Sequence, residues 1–122
     1  MNKIFKVGLI GCGHISETYF RGHDYFNNFQ IIKCADINQE NANKCADTYD
    51  IQACSVEELL KDDEIEIILN LTIPRAHFEV AKQSLEHGKH VYSEKPMAVN
   101  FNEGKELLSL SKSKGLYLGN AP

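Results

Sequence analysis

Gly11 and Gly13, Asp36, and the triplet Glu94-Lys95-Pro96 are the residues whose types and spacing suit them to chemistry on a bound ligand. The glycines stand in Lys6-Val7-Gly8-Leu9-Ile10-Gly11-Cys12-Gly13-His14-Ile15-Ser16, an apolar run that breaks into a turn and then becomes helical. Two glycines allow a tight turn whose backbone approaches a ligand closely. A helix starting there directs unpaired N–H groups and a partial positive charge at the same point, which suits a phosphate or pyrophosphate. This is the G-x-G-x-x-G pattern of dinucleotide binding with Ser16 at the third glycine, a side chain small enough to keep helix and strand close. Asp36 ends a second apolar run, Phe29 to Ala35. It lies near the ~20-residue spacing at which a carboxylate accepts hydrogen bonds from an adenosine ribose. A lysine at the position of Lys95, partly desolvated beside a cofactor, loses basicity and holds or relays the proton of a substrate hydroxyl. An exposed Glu-Lys pair stiffened by Pro96 accounts for the same residues equally well.

The elements that must place these groups alternate along the chain. A strand at Val7 to Ile10 precedes a first helix from His14 to about Arg21, with Ile15, Thr18 and Tyr19 toward the sheet and Gly22 as its stop. The second strand leads through Asp36 to a helix over Gln39 to Tyr49, packed through Ala42, Cys45, Ala46 and Tyr49. Ile51 to Cys54 is a short third strand, and Ser55 with Glu58 forms a capping box for a brief third helix. Ile65 to Leu71 is a fourth strand, apolar enough for a central parallel position. Thr72 is expected to cap the next helix, Pro74 to His87, with Pro74 in its first turn and Val80, Ala81, Ser84 and Leu85 buried. Gly88 closes it. His90 to Ser93 is the fifth strand, and Asn100 with Glu103 starts a last helix buried through Leu107, Leu108 and Ser111. Gly115 stops that helix, and Leu116 to Leu118 is a sixth strand. Strands alternating with helices imply a doubly wound α/β sheet of order 3-2-1-4-5-6, in which Thr72 and Ile73 face the ligand cleft.

The 122 residues are enough for one domain, residues 1–122, and composition is that of an ordinary globular protein, with 43% hydrophobic and 25% charged residues. A net charge of −4 with scattered lysines and arginines argues against nucleic-acid or membrane-surface partners. No apolar run approaches the ~18 residues of a membrane span and the first strand leaves no room for a signal peptide, so a cytoplasmic location is expected. Cys12, Cys34, Cys45 and Cys54 show no C-x-x-C pairing, so four free thiols and no metal are expected.

Gly11-Cys12-Gly13-His14-Ile15, Asp36, Thr72-Ile73-Pro74-Arg75-Ala76-His77, Gly88-Lys89-His90-Val91-Tyr92 and Glu94-Lys95-Pro96, in this order, resemble the nucleotide-binding half of the Gfo/Idh/MocA oxidoreductases. The resemblance runs the length of the chain. It implies a Rossmann fold and a nicotinamide cofactor held along Gly11, Cys12, Gly13, His14, Ile15, Asp36, Ile37, Leu71, Thr72, Ile73, Pro74, His77, Glu94, Lys95 and Pro96. Lys95 would be the catalytic lysine, Glu94 a cofactor or positioning residue, and Lys95-Pro96 a candidate cis peptide. For His77, one turn into its helix, packing or indirect support is the favoured role. Asp36 favours NAD over NADP: a carboxylate would repel a 2′-phosphate by about 4 kcal/mol per pair of unit charges at 4 Å and an effective dielectric of 20, and neither Ile37 nor Asn38 is a compensating cation.

The family's substrates, by the same resemblance, are sugars, inositols and related polyols or ketones, held by a C-terminal α+β domain that also builds an oligomer interface. That domain is absent from this sequence, so the chain is expected to bind NAD yet to be nearly inactive alone, and to expose apolar surface. Two other readings stay open: a non-catalytic dinucleotide-sensing module, and the cofactor domain of another two-domain dehydrogenase or reductase.

Overall fold

The computed structural model describes residues 3–13, 15–25, 28–94 and 100–120. Within them run β1 (Phe5–Ile10), α1 (Ser16–Tyr25), β2 (Phe29–Ala35), α2 (Gln39–Tyr49), β3 (Gln52–Ala53), α3 (Val56–Lys61), β4 (Ile67–Asn70), α4 (Pro74–Glu86), β5 (His90–Ser93), α5 (Phe101–Lys114) and β6 (Leu118–Asn120). The described strands pair in parallel in the order β3-β2-β1-β4-β5-β6, as the alternation predicts. The chain moves outward from β1 to β3, then crosses to β4 and moves outward the other way. Right-handed crossovers therefore put α1 and α2 on one face and α3, α4 and α5 on the other.

The buried side chains follow that division. Val7, Leu9, Phe20, Ile31, Cys34, Cys45, Leu69 and Leu71 form one apolar layer, with Tyr49 of α2 stacked on Phe20 of α1 at 3.8 Å between ring centroids. Ile10, Ala35, Leu59, Leu60, Ile65 and Ile68 form the layer beneath α3. Gly8 is what lets α3 lie so close, because a Cβ there would stand 2.7 Å from Leu59 Cδ2. Ala81, Leu85, Val91 and Leu107 join α4, β5 and α5.

Helix ends explain most departures from the sequence-based boundaries. α1 runs through Gly22 to Tyr25, because one glycine costs a helix only about 1 kcal/mol and Phe20 is anchored in the core. Ile15 is exposed rather than sheet-facing, and Ser16 is buried in its place. Thr72 does not cap α4: Ile73 is the N-cap residue with no side-chain hydrogen bond, and the Thr72 hydroxyl donates instead to Asn70 Oδ1 at 2.7 Å. Leu108 is 48% exposed, leaving Leu107 and Ser111 as the buried contacts of α5. β6 begins two residues later than expected. After Gly115, in the left-handed region, the Leu116 N–H closes α5 on Ser111 O at 2.9 Å, and the Tyr117 N–H goes to His90 Nδ1 at 3.0 Å. The capping box at Ser55 and Glu58 and the bounds of α2 and β5 are as predicted. β3 and β4 are shorter at both ends than the apolar runs that announced them.

The run Gly88-Lys89-His90-Val91-Tyr92 is structural in each of its residues. Gly88 adopts the left-handed conformation that ends α4. Lys89 is buried and its ammonium donates to Asp62 O at 2.6 Å and Ile65 O at 2.7 Å, tying down the connection between α3 and β4. Burial lowers its pKa, against the opposing pull of Asp63 and Asp62. Tyr92 meets the edge of Tyr19 from α1.

Acid should loosen this fold. The Lys33 ammonium, and then the Glu64 N–H, hold the Asp62 carboxyl below its ordinary 3.8; Lys3 and the Lys6 N–H hold Glu66 below 4.5. A carboxyl with a depressed folded pKa contributes stability that is present above the unfolded value and lost as pH falls through the folded one. The thermal midpoint should therefore be level near neutrality and fall below about pH 4; a midpoint unchanged down to pH 3 would contradict these pairings. Among the described residues, no helix is long and apolar enough to cross a membrane.

Candidate dinucleotide site

At the carboxyl edge of the sheet, β1 opens into the glycine turn directly against the end of β4. Gly11 has φ of 103° and its N–H donates to Ala35 O at 2.9 Å. A Cβ on Gly11 would stand 2.5 Å from Leu71 O and 2.8 Å from Thr72 N. Leu71, buried, in turn donates its N–H to Ile10 O at 2.8 Å. The turn thus lies on the switch point of the sheet, between the strands where its order reverses. Gly13 differs, since nothing lies within 4 Å of a Cβ built there. Its open side is the approach a phosphate needs. Ser16, at the third glycine position, is buried and its Oγ donates to Gly13 O at 2.7 Å, which closes the turn onto α1.

Asp36 is fixed to the same turn. Its Oδ2 accepts the Cys12 N–H at 2.7 Å and its Oδ1 accepts the Asn38 N–H at 2.8 Å. An ionised carboxylate has about four lone-pair sites, so each oxygen keeps acceptor capacity for a ribose hydroxyl. Ile37, 98% exposed, stands beside it, and Ile15 and Ile73 are exposed near the other ends of the turn and of β4. These apolar side chains give a planar ring system something to lie against.

The other half of the site hangs on Asn70, a buried polar residue closing β4 that the apolar reading of that strand passed over. Its Nδ2 donates to His77 O at 2.9 Å, and its Oδ1 accepts the Thr72 hydroxyl. The segment Leu71 to Pro74 is thereby held to the first turn of α4, with Pro74 at its start. His77 is 1% exposed, and its backbone oxygen is the acceptor of the Asn70 amide. Glu94, half-buried, donates its N–H to Asn70 O at 3.0 Å, and its Oε2 accepts the Tyr19 hydroxyl at 3.0 Å. Burial and then the Glu94 carboxylate push the Tyr19 phenol upward, so Tyr19 stays a donor. Among the described residues the geometry brings Gly11, Cys12, Gly13, Asp36, Thr72, Ile73 and Glu94 to one edge of the sheet. His14, Lys95 and Pro96, with the candidate cis peptide, lie outside the described residues.

These residues fit a dinucleotide. The open face of Gly13 and the start of α1 would suit a pyrophosphate, and the tethered Asp36 carboxylate has acceptor capacity that would suit a ribose hydroxyl.

Comparison with known proteins agrees. Residues 5–121 match the family described as "Oxidoreductase family, NAD-binding Rossmann fold". The chain is 32% identical over 116 residues to scyllo-inositol 2-dehydrogenase (NADP(+)) IolW of Bacillus subtilis, an alignment that takes in 93% of this chain and 32% of that protein. It superposes with a TM-score of 0.88 and 30% identity on biliverdin reductase from Synechocystis, solved with biliverdin and NADP+, covering 94% of this chain and 37% of that one. GenD2 from gentamicin A biosynthesis, solved with NAD, shares the fold at a TM-score of 0.92 and 18% identity, over 98% of this chain and 34% of that one. Along most of its own length the chain spans about a third of the curated relatives it matches. The sheet order, the glycine turn and the match over nearly every residue lead to one statement: this chain belongs to the Gfo/Idh/MocA oxidoreductase family and is its NAD-binding Rossmann-fold domain.

Proposed function

We propose that this chain holds NAD for a two-domain oxidoreductase that moves a hydride between the nicotinamide and a CH–OH carbon of a sugar, inositol or related polyol, or the matching ketone. The observation that carries the reading is Asp36, tied by its own carboxylate to the glycine turn. Gly13 and the start of α1 take the pyrophosphate, Asp36 the adenosine ribose, and Leu71 to Pro74 with Glu94 the nicotinamide half. Bound there, the nicotinamide ring gives or accepts the hydride. Lys95, the next residue after Glu94, holds or relays the proton of the substrate hydroxyl. Placing substrate against cofactor is worth about 7–11 kcal/mol of barrier, which is the task of the second domain. The names of relatives support the substrate class, inositol for one of them. A cytoplasmic, oligomeric parent protein completes this reading; the four free thiols support a reducing compartment.

NAD is preferred over NADP on this reading, because the Asp36 carboxylate would repel a 2′-phosphate on the adenosine ribose and its neighbour Ile37 carries no charge. Calorimetric titration with each dinucleotide, repeated on Asp36→Ala, tests this. Losing hydrogen bonds to a charged acceptor should weaken NAD by about 10- to 100-fold, or about 1.5–3 kcal/mol, and should narrow its advantage over NADP. An unchanged NAD affinity in a folded variant would remove Asp36 from the site.

A further inference from the structure

The cysteines separate in sequence converge in space. Cys12 lies in the glycine turn, Cys34 in β2 and Cys45 in α2, and their three Sγ atoms lie within 4.8 Å of one another. Cys34 and Cys45 are buried, whereas Cys12 is half-exposed. Cys12 and Cys45 also line a cavity of about 450 Å³ between α1 and α2, walled by Ser16, Glu17, Lys44 and Thr48 among others. The cluster therefore has a closed side, formed by Cys34 and the core, and an open side toward that cavity.

We propose that Cys12, Cys34 and Cys45 form a site for one thiophilic d10 metal ion, of which zinc(II) is the type, entered from the cavity between α1 and α2. Metal–sulfur bonds of about 2.3 Å put the sulfurs of a trigonal or tetrahedral thiolate site about 4 Å apart, so the trio needs to draw together by less than about 1 Å. Thiolate ligands select soft and borderline cations over magnesium or calcium. Three ligands from one face leave a further position toward the cavity, where water reaches.

The Cys12 thiol donates to Ala35 O and the Cys34 thiol to Ala42 O, each at 3.5 Å. On binding a divalent ion each thiol gives its proton to solvent, and three thiolates around the ion leave one net negative charge. Plain apolar packing of three small side chains explains their burial. It does not by itself call for three sulfurs within 4.8 Å of one another beside an open cavity.

The test uses the 122-residue chain, reduced with a phosphine and stripped with a chelator, and titrated with cadmium(II) as a spectroscopic probe. A thiolate-to-metal charge-transfer band should grow and saturate at one equivalent. Cys45→Ser should abolish the band, while Cys54→Ser, which lies outside the trio, should leave it intact. Should Cys45→Ser fail to fold by circular dichroism, Cys12→Ser, at the half-exposed turn, serves in its place. The proposal is overturned by a wild-type chain with no saturating band, by a band that survives in a folded trio variant, or by one lost in folded Cys54→Ser.

Discussion

Gly11→Ala is expected to destabilise the domain by about 3 kcal/mol and to lower its thermal midpoint by roughly 10 °C. Two costs add at this position. The backbone φ of 103° is one that L side chains rarely adopt. The new methyl would also meet Leu71 O at 2.5 Å and Thr72 N at 2.8 Å, which are backbone atoms of the neighbouring chain segment and cannot swing aside. Relief requires β1 and the end of β4 to part, and this breaks the Leu71 N–H bond to Ile10 O and deforms both halves of the cleft. Dinucleotide binding should be lost with it. Gly13→Ala provides the contrast, because its methyl enters open space. That variant should fold within about 1 kcal/mol of the parent and still bind NAD poorly, its methyl occupying the approach to the phosphates. Denaturant unfolding of both variants beside calorimetry decides the matter: equal stability losses would mean that contact with β4 is not what demands glycine at position 11.

On the proposed reading, the larger expected effect on rate belongs to Lys95→Met in a two-domain oxidoreductase carrying this domain. Removing a positioned proton donor or acceptor costs typically 10²–10⁴-fold in the chemical step, and kcat should fall by about that factor while the KM for NAD changes little. The argument for this residue rests on its neighbour. Glu94 leaves β5 bonded to Asn70 O on β4 and to the Tyr19 hydroxyl on α1, which holds Glu94 at the carboxyl edge of the sheet. Steady-state formation of NADH from a polyol substrate, with its pH profile, is the readout. Turnover at the parental rate would instead favour the dinucleotide-sensing reading, in which no proton relay is required.

Much of this architecture is legible in sequence because its signals are local. The glycine turn, the near-continuous apolar strands, the Ser55–Glu58 box and the glycines at 88 and 115 each act within a few residues, and together they dictate the strand order. The misreadings arise where a group is taken by a partner other than the one its local pattern assigns. Thr72 has the chemistry of an N-cap, yet buried Asn70 captures its hydroxyl first. Leu116 has the composition of a strand residue, but its N–H is consumed in closing α5. Asn70 itself was visible as the one amide in an apolar run, a signal that a buried polar group must have specific partners. The cysteines are the extreme case. A search for C-x-x-C pairs sees ligands on one element, while Cys12, Cys34 and Cys45 meet only through the packing of a turn, a strand and a helix.

The double tether of Asp36 bears on the speed of recognition as well as its strength. A free aspartate samples several rotamers, and a ligand that uses it must halt that motion as it docks. Here the Cys12 and Asn38 amides have already halted it, so the entropy is surrendered during folding rather than during encounter. On the proposed reading, an adenosine ribose would meet a carboxylate whose orientation is already fixed, and its capture should proceed as rapidly as diffusion and orientation permit.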